Sequence, residues 1–393
     1  MNVSTFRLVL LVSLAHALVH AYELALPSVE QELAVDYAIG KETIGWLASC
    51  WRMPWGFGAL LAGWLVDRFG SYRMLAIYLL GCAATCGAVA SQVPLTPLFV
   101  MMFCMGAAAS IYHPAGLALI SHATDEEQRP RALGMHGVFG SAGIAFCPFL
   151  VGAALMAGFR WNAYYWFLAA AGAGLGIVVL AFSKRDAVRN DPGMLKSVDN
   201  PHADWTAYFL LAFLSLLQGF VYAAMLSFLP RYLGAFRMGD STNARFLVGQ
   251  SVMITSGVLL VGCIGQYAAG RLARPKSLER LQTLVMFGNA VCLAWMALAT
   301  GGWRILAAGV FSLVHFMHQP VYNSLIAKYT PVRRRSLGYG FGLVMSFGVG
   351  SLGAVFAGYS QSDQLTYGTL AIVATGAGGV GIVLTRRNAL KSA

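Results

Sequence analysis

Read from its amino terminus, the chain passes through one apolar stretch after another, each about as long as a membrane crossing. A bilayer core about 30 Å thick takes roughly 20 helical residues. Apolar runs between charged or turn-forming breaks number twelve, near 6–28, 43–66, 72–91, 97–121, 131–157, 161–183, 205–230, 246–270, 280–299, 303–327, 337–359 and 365–385. Within lipid the backbone must satisfy its own hydrogen bonds, so each run is expected as a helix. Composition argues the same way. Hydrophobic residues are 58% of the 393 and charged residues 11%, against roughly 45–50% apolar and about 25% charged in soluble domains. A soluble protein of this size still needs a charged exterior, and disorder needs low hydrophobicity. The fold class expected is therefore an all-α polytopic membrane protein, not a soluble enzyme, a disordered scaffold or a nucleic-acid binder.

The net charge of +11 lies in short clusters between the runs, with no basic arm of the kind that binds nucleic acid. Arg7 and the apolar run to Ala21 have the look of a signal peptide. That run continues past Glu23 to Pro27 and opens a series, so it is read as the first span. The seven cysteines all fall inside apolar segments and form no CxxC pair, which argues against a disulfide framework or a zinc motif. If the amino terminus is cytoplasmic, twenty Lys/Arg face the cytoplasm and six do not (Lys41, Arg160, Arg231, Arg237, Arg245 and Arg304), while Arg52 lies within a span. The expectation is a multi-pass protein of a bacterial-type inner membrane with both termini cytoplasmic. The three arginines between spans 7 and 8 are the exception.

The longest polar break, 184–204, divides the chain into a six-helix bundle over 1–183, a cytoplasmic linker, and a six-helix bundle over 205–393. The halves echo each other. GWLVDRFGSYRML (63–75) matches GRLARPKSLERLQ (270–282) at an offset of 207, His113-Pro114 matches Gln319-Pro320 at 206, and Arg131 to Gly134 matches Arg335 to Gly338 at 204. A duplicated unit of this kind places a substrate site between the halves near the midplane.

The loop after span 2 resembles the signature of the major facilitator superfamily of secondary transporters. Gly63, Leu65, Asp67, Arg68 and Gly70 match it, Ser71 and Tyr72 replace its basic pair, and Arg73 restores a charge one place later. The resemblance implies twelve helices in two pseudo-symmetric bundles that rock about a central site, with Asp67, Arg68 and Arg73 gating the cytoplasmic face. In the second half Arg274 and Pro275 occupy the latch positions, so that latch is read as degenerate. Gly134, Gly143, Pro148 and Gly152 of span 5 resemble the glycine pattern of drug/proton antiporters, with Cys147 and Val151 departing from it. The same glycines equally suit a small-residue packing face. His16, the run Ser110 to Pro114 and the glycine-rich 338–354 resemble fosmidomycin-resistance-like transporters. Met102 stands where many facilitators carry an arginine, and His20 where that subgroup has an acid, so coupling schemes built on those groups do not carry over.

Ionisable side chains in mid-bilayer are expensive, so each needs a reason. Glu23 and Arg52 are expected either to pair or to leave Arg52 facing the cavity as an anion site. His16 and His20 share a helix face, with Tyr22 and Glu23 above them. His16 and His315 fall near the midplane on opposite halves, and His113, His136 and His318 lie nearer the cytoplasmic side. Histidine suits both proton coupling and transition-metal ligation, and each ring is also an ordinary hydrogen-bonded packing group. Gln218, Tyr222, Gln319, Tyr322 and Asn323 are candidate polar cavity residues. Met101, Met102, Cys104 and Met105 are either a soft-metal path or apolar filling.

No P-loop or catalytic motif occurs in the sequence. The reading is a non-enzymatic, cofactor-free secondary transporter, monomeric, with protons, lipids and a small solute as partners. It exports a small organic compound, an anionic one if Arg52 receives its charge. The alternative is a transition-metal ion or metal-chelate transporter using His16, His20, Glu23 and His315.

Overall fold

The computed structural model describes residues 3–125, 127–182, 203–235, 242–331 and 334–392. The expected linker, apart from its last two residues, lies outside the described residues. Among the described residues there is no strand. The first half comprises α1 (Val3–Asp36), α2 (Lys41–Phe69), α3 (Ser71–Ala90), α4 (Leu95–Ala109), α5 (Tyr112–Ala123), α6 (Arg129–Met156) and α7 (Asn162–Phe182). The second comprises α8 (Trp205–Leu233), α9 (Ala244–Leu272), α10 (Leu278–Leu298), α11 (Trp303–Phe316), α12 (His318–Tyr329), α13 (Arg335–Leu343), a π-helical segment (Val344–Val349), α14 (Leu352–Tyr359) and α15 (Asp363–Ser392). Each half makes six crossings.

Eleven of these crossings are long and apolar enough to span a membrane; α2 is the one that is not. The cause is local, since α2 carries Arg52 in its middle and is rich in glycine and tryptophan. Spans 4 and 10 are each broken in the same place. Proline has no N–H, and its ring collides with the carbonyl four residues back. Pro114 and Pro320 therefore end α4 and α11 just upstream, and a histidine follows each break: His113 in α5 and His318 in α12. Span 11 is interrupted by the π segment amid its glycines, the kind of irregularity that accompanies functional sites.

The halves meet along two seams, α2 against the π segment and α14, and α6 against α9, with α1 touching α8 between them. These seams depend on small residues. A Cβ on Gly56 would run into the backbone of Gly348, and one on Gly152 into Gly249. Gly143 packs instead on the Ala17 backbone in its own half, and Gly134 has open space around it, so the span 5 glycines serve several different contacts.

The two ends of the bundle differ. Toward the end opposite the termini, Arg231 pairs with buried Glu30 at 2.6 Å and Arg245 with Glu32 at 2.9 Å, both across the halves. Two of the three exceptional arginines thus have acidic partners, and Arg237 lies outside the described residues. Ser49 donates to the Ser351 carbonyl at 2.6 Å in the same region. Among the described residues, the cross-half hydrogen bonds reach no nearer to the terminal end than Ser141–Gln266 at 3.1 Å.

Candidate functional site

Helix α1 carries the polar residues of the centre. His16 and His20, one turn apart, have rings 5.0 Å apart. The His16 ring runs nearly parallel to those of Tyr112 (5.2 Å, 17°) and His136 (4.0 Å, 13°), which are themselves 6.1 Å apart. Its Nδ1 bonds the His136 backbone carbonyl at 2.8 Å. The bare α-carbon of Gly140 makes room for it, since a Cβ there would collide with the imidazole. His113, delivered by the break in span 4, meets His16 edge-on at 5.5 Å and stands 6.2 Å from His20. One ring nitrogen each from His16, His20 and His113 lie within 4.8 Å of one another.

Glu23 joins the halves. One carboxylate oxygen meets His20 Nδ1 at 2.9 Å, and the other accepts from the Tyr222 hydroxyl of α8, also at 2.9 Å. Its burial, at 2% exposure, makes these partners obligatory. The Tyr222 ring stacks on His315 at 5.6 Å and 14°. His315 Nδ1 faces the Gln218 amide nitrogen at 3.0 Å, and Asn289 donates to the Gln218 oxygen at 3.4 Å. His318 has a matching partner, the Gln282 amide nitrogen at 2.7 Å.

Some expectations need correction. Glu23 and Arg52 are not joined: nearer donors occupy both Glu23 oxygens, and Arg52 Nη1 reaches across to Ser227 at 3.1 Å. The Arg52 side chain is 1% exposed, and its Nε and Nη2 have no partner among the described residues. His315 does not join His16 and His20 in one ligand set, because Tyr222 lies between; His113 takes that place. Tyr22 points away from the centre, its hydroxyl meeting the Leu168 carbonyl at 3.4 Å. Gln319 lies outside the core, accepting from Gln266 at 3.2 Å in an exposed position. Tyr322 stands beside His318 at 5.1 Å, and Asn323 gives its backbone carbonyl to Tyr339 at 3.0 Å.

The sulfur residues of span 4 form no path to the histidines. Cys104 is exposed, Met102 is buried packing, and Met105 meets Cys86 at 4.0 Å. Asp67 and Arg68 are exposed at the end of α2, with the Arg68 guanidinium 5.7 Å from the Trp64 and Phe69 rings. Arg73 is exposed in the first turn of α3. Ser227, Gln282 and Asn289 belong to the polar core but were not singled out from the sequence. Their signal was available: each is a polar residue inside an otherwise apolar run.

The model of the Major Facilitator Superfamily matches residues 10–385. The puromycin resistance protein pur8 of Streptomyces alboniger is 33% identical over 125 residues, 31% of this chain and 24% of that protein, so the match spans about a quarter of the relative. Among solved structures, a bacterial homologue of the human lysosomal transporter Spinster, inward-facing and occupied, superposes with a TM-score of 0.79 at 12% identity over 98% of both chains. The nucleoside transporter NupG gives 0.72 at 17% identity over 98% of this chain and 99% of that one. The xylose transporter XylE of E. coli gives 0.75 at 10% identity, over 95% and 97%. At these identities the structures share the fold.

Proposed function

The chain belongs to the Major Facilitator Superfamily, and on that footing we propose that it is a proton-coupled secondary transporter exporting a small organic anion. It works by alternating access in a bacterial-type inner membrane, with both termini cytoplasmic and a first bundle over 1–183 joined through 184–204 to a second over 205–393. The single observation that carries the reading is the Tyr222–Glu23 hydrogen bond, which ties a histidine-rich core in one half to a histidine–amide core in the other. With the termini cytoplasmic, the ion-paired end is the outer one and the state is inward-facing. Asp67 and Arg68 are then a cytoplasmic latch in its released position.

The proton is assigned to His315. Asn289 donates to the Gln218 oxygen, which leaves the Gln218 nitrogen as donor to His315 Nδ1. A proton arriving on Nδ1 sets two donors against each other and breaks that bond. Turning the Gln218 amide over offers its oxygen to the new N–H and its nitrogen to Asn289, whose own oxygen has no partner among the described residues. The network therefore has two satisfied arrangements, one for each protonation state of the His315 ring. The polar and titratable groups around His315 are Gln218 and Tyr222 of α8, Asn289 and Gln282 of α10, His318 of α12, and Glu23 of α1 reached through Tyr222.

The solute's charge is assigned to Arg52, whose buried, half-satisfied guanidinium needs an anion. The partial likeness to a puromycin resistance protein and the resemblance to fosmidomycin-resistance-like transporters support an organic cargo moving outward. The test uses vesicles holding purified protein and a trapped pH dye, with fosmidomycin as anionic and puromycin as cationic probe. Wild type should accumulate the anion against its gradient at the expense of a proton gradient. His315→Gln should lose accumulation and keep solute exchange, which needs no net proton movement. Uphill transport at the wild-type rate in His315→Gln would overturn the proton assignment.

A further inference from the structure

The geometry points to a divalent transition-metal-ion site on His16, His20 and His113. Two independent features carry it. The first is convergence: three ring nitrogens from α1 and α5 lie within 4.8 Å of one another. Zinc–imidazole bonds of about 2.0–2.1 Å in tetrahedral geometry hold nitrogens about 3.4 Å apart, so closure by at most about 1.4 Å completes the set. The second is the fixed tautomer of two of the rings. A backbone carbonyl only accepts, so His16 Nδ1, bonded to the His136 carbonyl at 2.8 Å, must carry the hydrogen. His20 Nδ1 likewise donates to the Glu23 carboxylate at 2.9 Å. In each neutral ring the lone pair left over is on Nε2. Metal-bound histidines are oriented by this same donation from the other ring nitrogen to a carbonyl or carboxylate.

Three imidazoles leave a fourth position free, as in sites that exchange a ligand and unlike closed structural sites. Imidazole donors favour zinc, nickel, cobalt or copper over magnesium or calcium. Trp55 walls the site, its ring 6.1 Å from His113 and 6.3 Å from His20. One turn away on the same face of α2 stands Arg52, whose Nε and Nη2 have no partner among the described residues. The proposed organic anion is accordingly one that carries a divalent metal, its donor filling the fourth position and its charge meeting Arg52. Its role as cargo rests on the transporter reading; the site itself does not.

The test reads binding without transport. Tag-free, chelator-treated protein in detergent is titrated with cobalt(II) chloride, followed by its visible absorption, and with zinc chloride by calorimetry, magnesium chloride serving as control. A parallel arm uses a preformed zinc–citrate complex. One ion per chain in either arm is expected, with magnesium silent. His16→Ala, His20→Ala and His113→Ala should each abolish the cobalt band, while Glu23→Gln weakens affinity about 10- to 100-fold through loss of ring orientation. His122→Ala, at an exposed position, should bind as wild type does. Binding by the chelate alone assigns the fourth position to the organic anion, and binding of the free ion assigns the ion itself as ligand. No binding in either arm overturns the site, as does undiminished binding in His113→Ala. Each variant is first required to elute as wild type and to melt at the wild-type temperature in chelator, with His113→Gln as a second, less disruptive replacement.

Discussion

The two halves place histidines at equivalent breaks in spans 4 and 10, yet surround them differently. In the first half His16, His20, His113 and His136 face one another, with a single carboxylate, Glu23, at the edge. In the second, His315 and His318 each face the amide of a glutamine. Rings whose Nδ1–H groups are already bonded to a carbonyl or carboxylate, as in His16 and His20, keep a lone pair for a cation or another electron-pair acceptor. A ring facing an amide suits a proton, because an amide presents either a donor or an acceptor by turning over. On the proposed function, the side chains around two equivalent breaks divide cargo from driving ion. The Tyr222–Glu23 hydrogen bond joins the two sets of groups.

The sharpest way to break this comparison is to exchange the roles. His315→Gln should reduce gradient-driven transport to background and leave cargo binding intact, whereas His113→Gln should remove binding, read by transport and calorimetry on the same preparations. Next in size is the outer-end closure. Arg231→Ala strands the buried Glu30 carboxylate; the arginine is 39% exposed, so a cost of about 2 kcal/mol is expected, between the surface and buried ranges. It should appear as a lower melting temperature and faster thiol labelling of a cysteine placed at the outer end. Arg245→Ala should cost less, about 0.5–1 kcal/mol, since both partners of that pair reach water.

Gly56→Ala tests the seam itself. The added methyl meets the Gly348 backbone, and overpacking of about 1–2 kcal/mol should move molecules out of the arrangement in which this seam is closed. The same outer-end labelling reads it. Tyr222→Phe should have the smallest effect on folding, since Glu23 keeps His20. Its consequence is looser coupling, with solute exchange kept and fewer protons moved per solute, measured by dye and radiolabel together.

Much of the fold was legible because lipid leaves so few options: twelve apolar runs give twelve crossings, although the breaks at Pro114 and Pro320 were not read from spans 4 and 10. Glu23, Arg52 and the histidines stood out as polar residues where burial is costly. Their pairing was not legible. Which face of α1 meets α8 depends on helix rotation within the bundle, which periodicity in nearly uniform apolar runs does not encode. Glu23 therefore found Tyr222 and not Arg52, and Tyr22 turned out of the site although its neighbour Glu23 is at the centre. The break in span 4 swings His113 toward His16, an outcome that spacing along a continuous helix does not suggest.

The most direct measurement needs no substrate. Spin labels at Ser91→Cys and Gln361→Cys, both at exposed outer-end positions on opposite halves, report the separation of the bundles in a background lacking the native cysteines. The distance distribution is recorded across pH 5 to 8, for wild type and for His315→Gln. Acidification is expected to add a longer-distance, outward-open population in wild type, and His315→Gln to abolish this response. A wild-type distribution that ignores pH, or an equal response in His315→Gln, would contradict the proton assignment.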